Sequence, residues 1–344
     1  MIRILQIAFV AVGLIWTEQR NDGLARALQL AQQEKYADAA DIFRSILVRN
    51  PDDAEARYNL SLALMALGKP QEALSTLQGW RDASNTVPFR YLRGKLEASL
   101  NKDKDAEKDL VFAAEAKPER EPYVLDLGIF YIRHQSFVQA ISTLKRGLRY
   151  HPDSVYILLS LALAQSFAGT ADATETARRI LKTNPEFGPA RLVLAHALYM
   201  DGDYSGCEGE TSTAVRAGNR NPYLFYLRAA SRSKLNSTDW GDMLADLDTV
   251  QKSIPDCTIC WLVRSKVDEA RGDLSAAISD LEHIVSTHPS FRPAWSRLAM
   301  LYKRANRTKD SNRAREMYQR MRAKEELDGE KQLAERYLLS GGVP

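Results

Sequence analysis

Prolines return along this chain at a nearly fixed interval, and that spacing restricts the fold more than any other feature. Pro118 and Pro152 are 34 residues apart, Pro152 and Pro185 are 33, and Pro255 and Pro289 are 34. Pro51 to Pro118 spans 67 residues and Pro185 to Pro255 spans 70, each two such steps. Every one of these prolines stands between two apolar helical patterns, as in RNPDDAEA, YHPDSVYI and SIPDCTIC. Proline lacks an amide hydrogen and disfavours helical geometry in the residue before it, so it belongs between helices. A period of this length marks an array of small supersecondary units.

Placing each proline at position 32 of a 34-residue unit aligns the rest. Position 8 then reads Ala27, Ser61, Gly94, Gly128, Ala162, Ala195, Ala229, Ser265 and Ala299, all small. Position 20 reads Ala39, Ala73, Ala106, Ala140, Ala173, Cys207, Met243, Ala277 and Ser311, with Met243 the one large residue. The register requires a deletion near Thr170 and a two-residue insertion around Asn236 to Gly241. Two helices approach to the short end of the usual separation only where facing side chains are small. Large apolar residues fill the space beside them: Leu60, Leu127, Leu161 and Leu298 at position 7, and Phe43, Leu77, Leu110, Leu144 and Leu281 at position 24. Glycine at position 15 (Gly68, Gly169, Gly202, Gly272) ends the first helix of a unit, where a left-handed residue is wanted. Neither helix of a pair buries its apolar stripe alone, so stacked pairs share a continuous core.

These residues resemble the tetratricopeptide repeat family, whose pattern is bulky at 4, Leu at 7, small at 8, aromatic at 11, small at 20 and 27, and Pro at 32. The stretch from Pro122 to Pro152 matches best, with Leu127, Gly128, Tyr131, Phe137, Ala140 and Pro152; Trp261, Trp295 and Tyr302 add matches further on. Position 11 departs from the pattern where it is Leu, Glu or Asp, and position 27 departs at Trp80 and Val250. The resemblance implies an all-α fold, an α-solenoid wound as a right-handed superhelix of about nine helix pairs over residues 20–326. Residues 327–344 then form a polar capping helix and tail, stopped by Gly341 and Gly342.

The remaining segment, residues 1–19, reads as a signal peptide or a short N-terminal membrane anchor. Ile4 to Trp16 is thirteen uncharged residues after Arg3, long enough for a signal peptide and short of the roughly 17 residues a membrane span requires. Small residues before a cut are poorly placed, Ala11 and Gly13 lying inside the apolar run. The expected location is therefore export, periplasmic or extracellular, or anchorage through residues 4–16, with a cytoplasmic protein still open. Formal net charge is +3, with 45% apolar and 26% charged residues, values that argue against wholesale disorder and against a polytopic membrane protein.

Chemistry is sparse. Three cysteines are too few for a disulfide scaffold. Cys257 and Cys260 form a C-x-x-C at the start of a helix, where amides favour a thiolate, so a disulfide, inert thiols or a thiol-disulfide exchange site all fit. No strand pattern accompanies them, and Trp261 replaces the histidine that haem attachment requires. Zinc at this pair would need two more ligands; His283 and His288 are candidates, but nothing in the sequence fixes them nearby. The five histidines are scattered, and no G-x-G-x-x-G, G-x-x-x-x-G-K or G-x-S-x-G occurs. Neither catalysis nor a cofactor or metal is expected.

Residues 303–324 carry nine basic and two acidic side chains. A basic helix face there suits an anionic membrane surface or nucleic acid, but stacking aromatics are few and a solvated outer helix is the better reading. The family resemblance implies instead that positions 2, 5, 6, 9, 12 and 13 face a groove that binds a protein or peptide segment. In this sequence they give Tyr58, Asn59, Tyr91, Lys95, Arg133, Tyr156, His196, Tyr199, Tyr226, Lys234, Lys266, Arg297 and Arg304. Rings supply rigid contact area and cations supply selectivity for carboxylates. The family's clamp for C-terminal carboxylates is not reproduced: Asn59 and Lys95 fall on groove positions, but Leu28, Leu62, Leu92 and Ile129 occupy the others. The expectation is a non-catalytic interaction scaffold.

Overall fold

A computed structural model describes residues 22–78 and 86–320, together with Glu335. The leader-like segment, Trp80 and the C-terminal cap at 327–344 lie outside the described residues, apart from Glu335. Among the described residues every regular element is a helix, and the helices come in nine pairs. They are α1 (Asp22–Gln32) with α2 (Tyr36–Arg49), α3 (Ala54–Ala66) with α4 (Pro70–Gln78), and α5 (Val87–Ser99) with α6 (Asp103–Ala116). There follow α7 (Glu121–Arg133) with α8 (Phe137–Gly147), α9 (Val155–Phe167) with α10 (Asp172–Thr183), and α11 (Gly188–Met200) with α12 (Tyr204–Arg216). The last are α13 (Pro222–Lys234) with α14 (Trp240–Ser253), α15 (Thr258–Ala270) with α16 (Leu274–Thr287), and α17 (Arg292–Arg304) with α18 (Thr308–Arg320). None of them is long and apolar enough to cross a membrane.

The chain divides inside α9 into two compact units, Met1–Ile157 and Leu158–Val343. Within each unit the second helix of one pair packs on the first helix of the next, as α2 does on α3 and α12 on α13. First helices of successive pairs also touch, α1 with α3 and α3 with α5 in the first unit, α11 with α13 and α13 with α15 in the second. Each unit is thus an all-α solenoid segment with its first helices lining one side.

The small positions do what the spacing requires. Ala27, Ser61, Ala162, Ala195, Ala229 and Ser265 at position 8 are fully buried, and so are Ala39, Ala73, Ala106, Ala140, Cys207 and Ala277 at position 20. At Gly94 a methyl group would stand 3.0 Å from Leu110 Cγ and 3.1 Å from the Ala106 carbonyl oxygen, so the helices meet there at nearly backbone distance. Phe43, Leu77, Leu110, Leu144 and Leu281 fill the adjoining space and are buried too. Each such side chain contributes about 1.5–3 kcal/mol by leaving water.

The turn inside each pair repeats as faithfully as the core. All nine residues at position 15 have positive φ: Gly68, Gly169, Gly202 and Gly272, but also Glu34, Asn101, Gln135, Asn236 and Asn306. The amide of the following residue bonds back to a carbonyl five residues earlier in every pair, from Lys35 to Leu30 through Arg307 to Tyr302, at 2.8–3.0 Å. This is the Schellman closure, which satisfies carbonyls the helix end leaves open. Between pairs, Trp261 Nε1 donates to the Pro255 carbonyl at 3.1 Å and Trp295 Nε1 to that of Pro289 at 2.8 Å, tying position 4 to the preceding proline turn.

Candidate functional site

In the first unit the groove positions engage one another. On α5, Tyr91 donates its hydroxyl to Asp126 of α7, and Lys95 Nζ sits 2.7 Å from the same carboxylate. The Tyr91 ring lies 4.3 Å from that of Tyr123, and burial pushes its hydroxyl pKa well above the ordinary value, with the Asp126 charge adding to the effect. Tyr58 is half-buried and its hydroxyl is raised likewise by burial. Asn59 is completely buried and spends its amide on the Glu55 carbonyl at 2.8 Å. Arg133 is exposed, as is Tyr156 at 39%. This face therefore offers rings and a neutralised lysine.

The second unit is different. His196, Tyr199 and Tyr226 are buried, and the Tyr223 hydroxyl lies 2.8 Å from His196 Nδ1. Burial lowers the His196 pKa to about 4, so this imidazole is a neutral packing element at neutral pH. Next to the aromatic group the surface opens into a cavity of about 690 Å³ between α11, α13 and α15. Its floor includes Met243, Leu262 and Val263, its rim Met200, Lys234 and Lys266, and Met200 is 43% exposed.

The repeat itself explains why the cavity is here. Seven of the other pairs turn in three residues and α9–α10 in four, whereas α13 and α14 are separated by five, Leu235–Asp239. Asn236, Ser237 and Thr238 of this longer turn line the opening. Met243, the one large residue at position 20, stands at its base. The insertion was legible in the sequence as a break in register; its role as a pocket wall was not.

A second cavity, of about 500 Å³, shares Lys234 and Lys266 with the first and adds Arg292, Arg297, Ser296 and Tyr318. The Arg292 guanidinium stacks on the Tyr318 ring at 4.3 Å. Behind this wall Glu269 receives both Arg297 and Arg304.

Cys257, the N-cap of α15, and Cys260 in its first turn are joined in a disulfide, with Cα atoms 5.2 Å apart. Both residues are buried, at 5% and 0% exposure, which leaves no approach for an attacking thiolate. Cys207 is a buried free thiol whose pKa burial pushes up to about 12, the opposite of an activated nucleophile. Among the described residues no group of three or more His, Cys, Asp and Glu is arranged to hold a metal ion. In the basic stretch, Arg304 pairs with Glu269 and Arg307 with Asp310 and Glu282, while Lys303, Lys309, Arg313 and Arg315 are exposed.

A stack of two-helix units with small residues at 8 and 20 and a left-handed residue at 15 defines a helix-pair repeat protein. Residues 24–88 match the tetratricopeptide repeat family model, and the same helix-pair geometry recurs in all nine described pairs. It is similar to human tetratricopeptide repeat protein 6, with 22% identity over 137 residues, 40% of this chain and 26% of the relative. The matched region is thus about a quarter of the length of that curated relative. Among solved structures, the C-terminal part of a repeat-containing protein from Cytophaga hutchinsonii superposes with a TM-score of 0.50 and 14% identity, over 79% of this chain and 97% of that one. A tetratricopeptide repeat protein from Parabacteroides merdae aligns over 81% of this chain and 97% of that one, with 17% identity and a TM-score of 0.41.

Proposed function

We propose that this protein is a non-catalytic interaction scaffold that binds an extended segment of a partner protein along the first helices of its second unit. The observation that carries the reading is the cavity between α11, α13 and α15, where a register break in the repeat opens the surface beside Tyr199, Lys234 and Lys266. Repeat arrays of this kind present rigid, preorganised faces, which lowers the entropic cost of holding a flexible chain. The buried disulfide and the raised Cys207 thiol favour structural roles for the cysteines over exchange chemistry. The uncharged run at residues 4–16 supports action outside the cytoplasm or at a membrane surface.

Site-specific photocrosslinking tests the site. A benzophenone side chain at Met200 is expected to capture partner from the source cell extract, and one at Arg313 on α18 is not. Ser233→Trp, which fills the cavity, is expected to abolish the Met200 adduct. Equal adducts from both positions, or an adduct indifferent to Ser233→Trp, would sink the reading. The processing question is separate, and intact-mass measurement on native protein answers it.

A further inference from the structure

We infer that the second unit selects a partner segment in which a large apolar side chain is flanked by acidic side chains, the apolar group entering the insertion-built cavity and the acids meeting the adjoining basic cavity. This rests on the groove-binding reading above and adds the chemistry of the ligand. Neither cavity is lined by an aspartate or glutamate among the described residues, whereas Lys234, Lys266, Arg292 and Arg297 line the second. Behind the basic wall, the two oxygens of Glu269 are taken by Arg297 and Arg304, so Glu269 offsets at most part of the wall's charge.

Two further observations point to an anion rather than to a merely solvated basic surface. Nε of Arg292 and Nε of Arg297 are buried with no hydrogen-bond partner. A guanidinium donor withdrawn from water and left unpaired is costly, and an incoming carboxylate offsets that cost. The Arg292 plane is also held by Tyr318, which presets the fork for a carboxylate.

The apolar half of the specificity comes from the neighbouring cavity. Its base, with Met243, Ile259, Leu262 and Val263, is apolar, and its volume of about 690 Å³ takes a leucine, phenylalanine or tryptophan side chain. Met200 at the rim is unbranched and adapts to different occupants. Because Lys234 and Lys266 border both cavities, the anchor and the acid are neighbours on one short stretch of ligand. Burial of the anchor supplies affinity, and charge complementarity supplies selection and encounter rate. A basic segment meets like charge at the same place and is rejected.

The test is selection of a random-peptide display library on the full-length chain, followed by binding of the selected peptides by fluorescence anisotropy. Enriched sequences are expected to pair a Leu, Phe or Trp with nearby Asp or Glu. Replacing those acids by their amides is expected to weaken binding about tenfold at low salt, with the difference shrinking as salt is raised. Lys234→Gln, at an exposed position, is expected to reduce the acid preference while leaving the melting temperature unchanged; Arg292→Gln does the same more strongly. Enrichment with no acidic bias, or an acid preference that survives both variants, overturns the inference while leaving groove binding in place. Failure to enrich any sequence overturns groove binding itself.

Discussion

Asp268 and Asp280 are buried together across the α15–α16 pair, and after burial itself the neighbouring Asp268 is what pushes the Asp280 carboxyl up. Asp268 is at position 11 and Asp280 at position 23 of its repeat, and Glu97 and Asp109 occupy the same two positions between α5 and α6. In these units position 11 holds an acid in place of an aromatic, and a second acid stands at position 23. Burial, then the neighbouring carboxylate, holds Asp280 well above the usual aspartate range and raises Glu97 to about 7. A raised carboxylate pKa means the folded state retains a proton that the unfolded chain gives up. No penalty exists below the unfolded value near 4.5; it grows as pH rises and is complete above about 7. For Glu97 the full penalty is about 3 kcal/mol as an upper bound. Glu97→Gln and Asp280→Asn are therefore expected to melt higher than the parent at pH 8 and no higher at pH 4. Thermal melts across that range check it, and an equal shift at both ends would discount the carboxyl pairs.

Nine left-handed residues at position 15 include Glu34 and Gln135, whose side chains make positive φ more costly than it is for glycine. Glu34→Gly and Gln135→Gly are each expected to stabilise by about 1 kcal/mol, measured by urea unfolding, because the closing hydrogen bonds of the turn are retained. The same position shows how far the sequence could be read. Glycine at four of the nine units announced the turn, and Asn101, Asn236 and Asn306 are residues that tolerate the same backbone, whereas Glu34 and Gln135 carry no local signal for it and are placed there only by the period. The pair count, the small interhelical contacts and the proline turns were legible because each recurs. The cavity at α13–α14 appeared only as an irregularity, and burial of His196, Tyr199 and Tyr226 was invisible, since a groove position and a core position share the same spacing.

Gly128 on α7 meets Leu144 on α8 so closely that a methyl group there would lie 2.5 Å from Leu144 Cδ2. Gly128→Ala is expected to destabilise the protein by about 1–3 kcal/mol through overpacking. Leu144→Val opens room at the same contact, so the double variant is expected to lose less than the sum of the two single losses. A double-mutant cycle by chemical denaturation reads the coupling, and strict additivity would mean the two residues do not limit the helix approach.

Burial of all three cysteines predicts their chemistry. Native protein is expected to resist iodoacetamide at Cys207, and the Cys257–Cys260 disulfide is expected to resist a mild phosphine reductant, until denaturant is added. Mass spectrometry of alkylated peptides before and after unfolding checks both. Rapid native labelling of either member of the pair would revive the exchange reading.

His196 supplies an opposite dependence on pH within the second unit. Its folded pKa of about 4 lies below the ordinary 6.5 because burial disfavours the cation. The folded state thus favours the neutral ring, and stability declines as pH falls from about 6.5 towards 4, by up to about 3 kcal/mol. Its ring proton signals are expected to stay fixed by NMR down to pH 5. Tyr223→Phe removes the hydroxyl beside Nδ1 but keeps the burial that dominates, so the His196 resonance should still not titrate above pH 5. Titration of His196 near 6.5 in the parent would place the imidazole in water, on the face of the groove after all, and would return it to the residues available for binding.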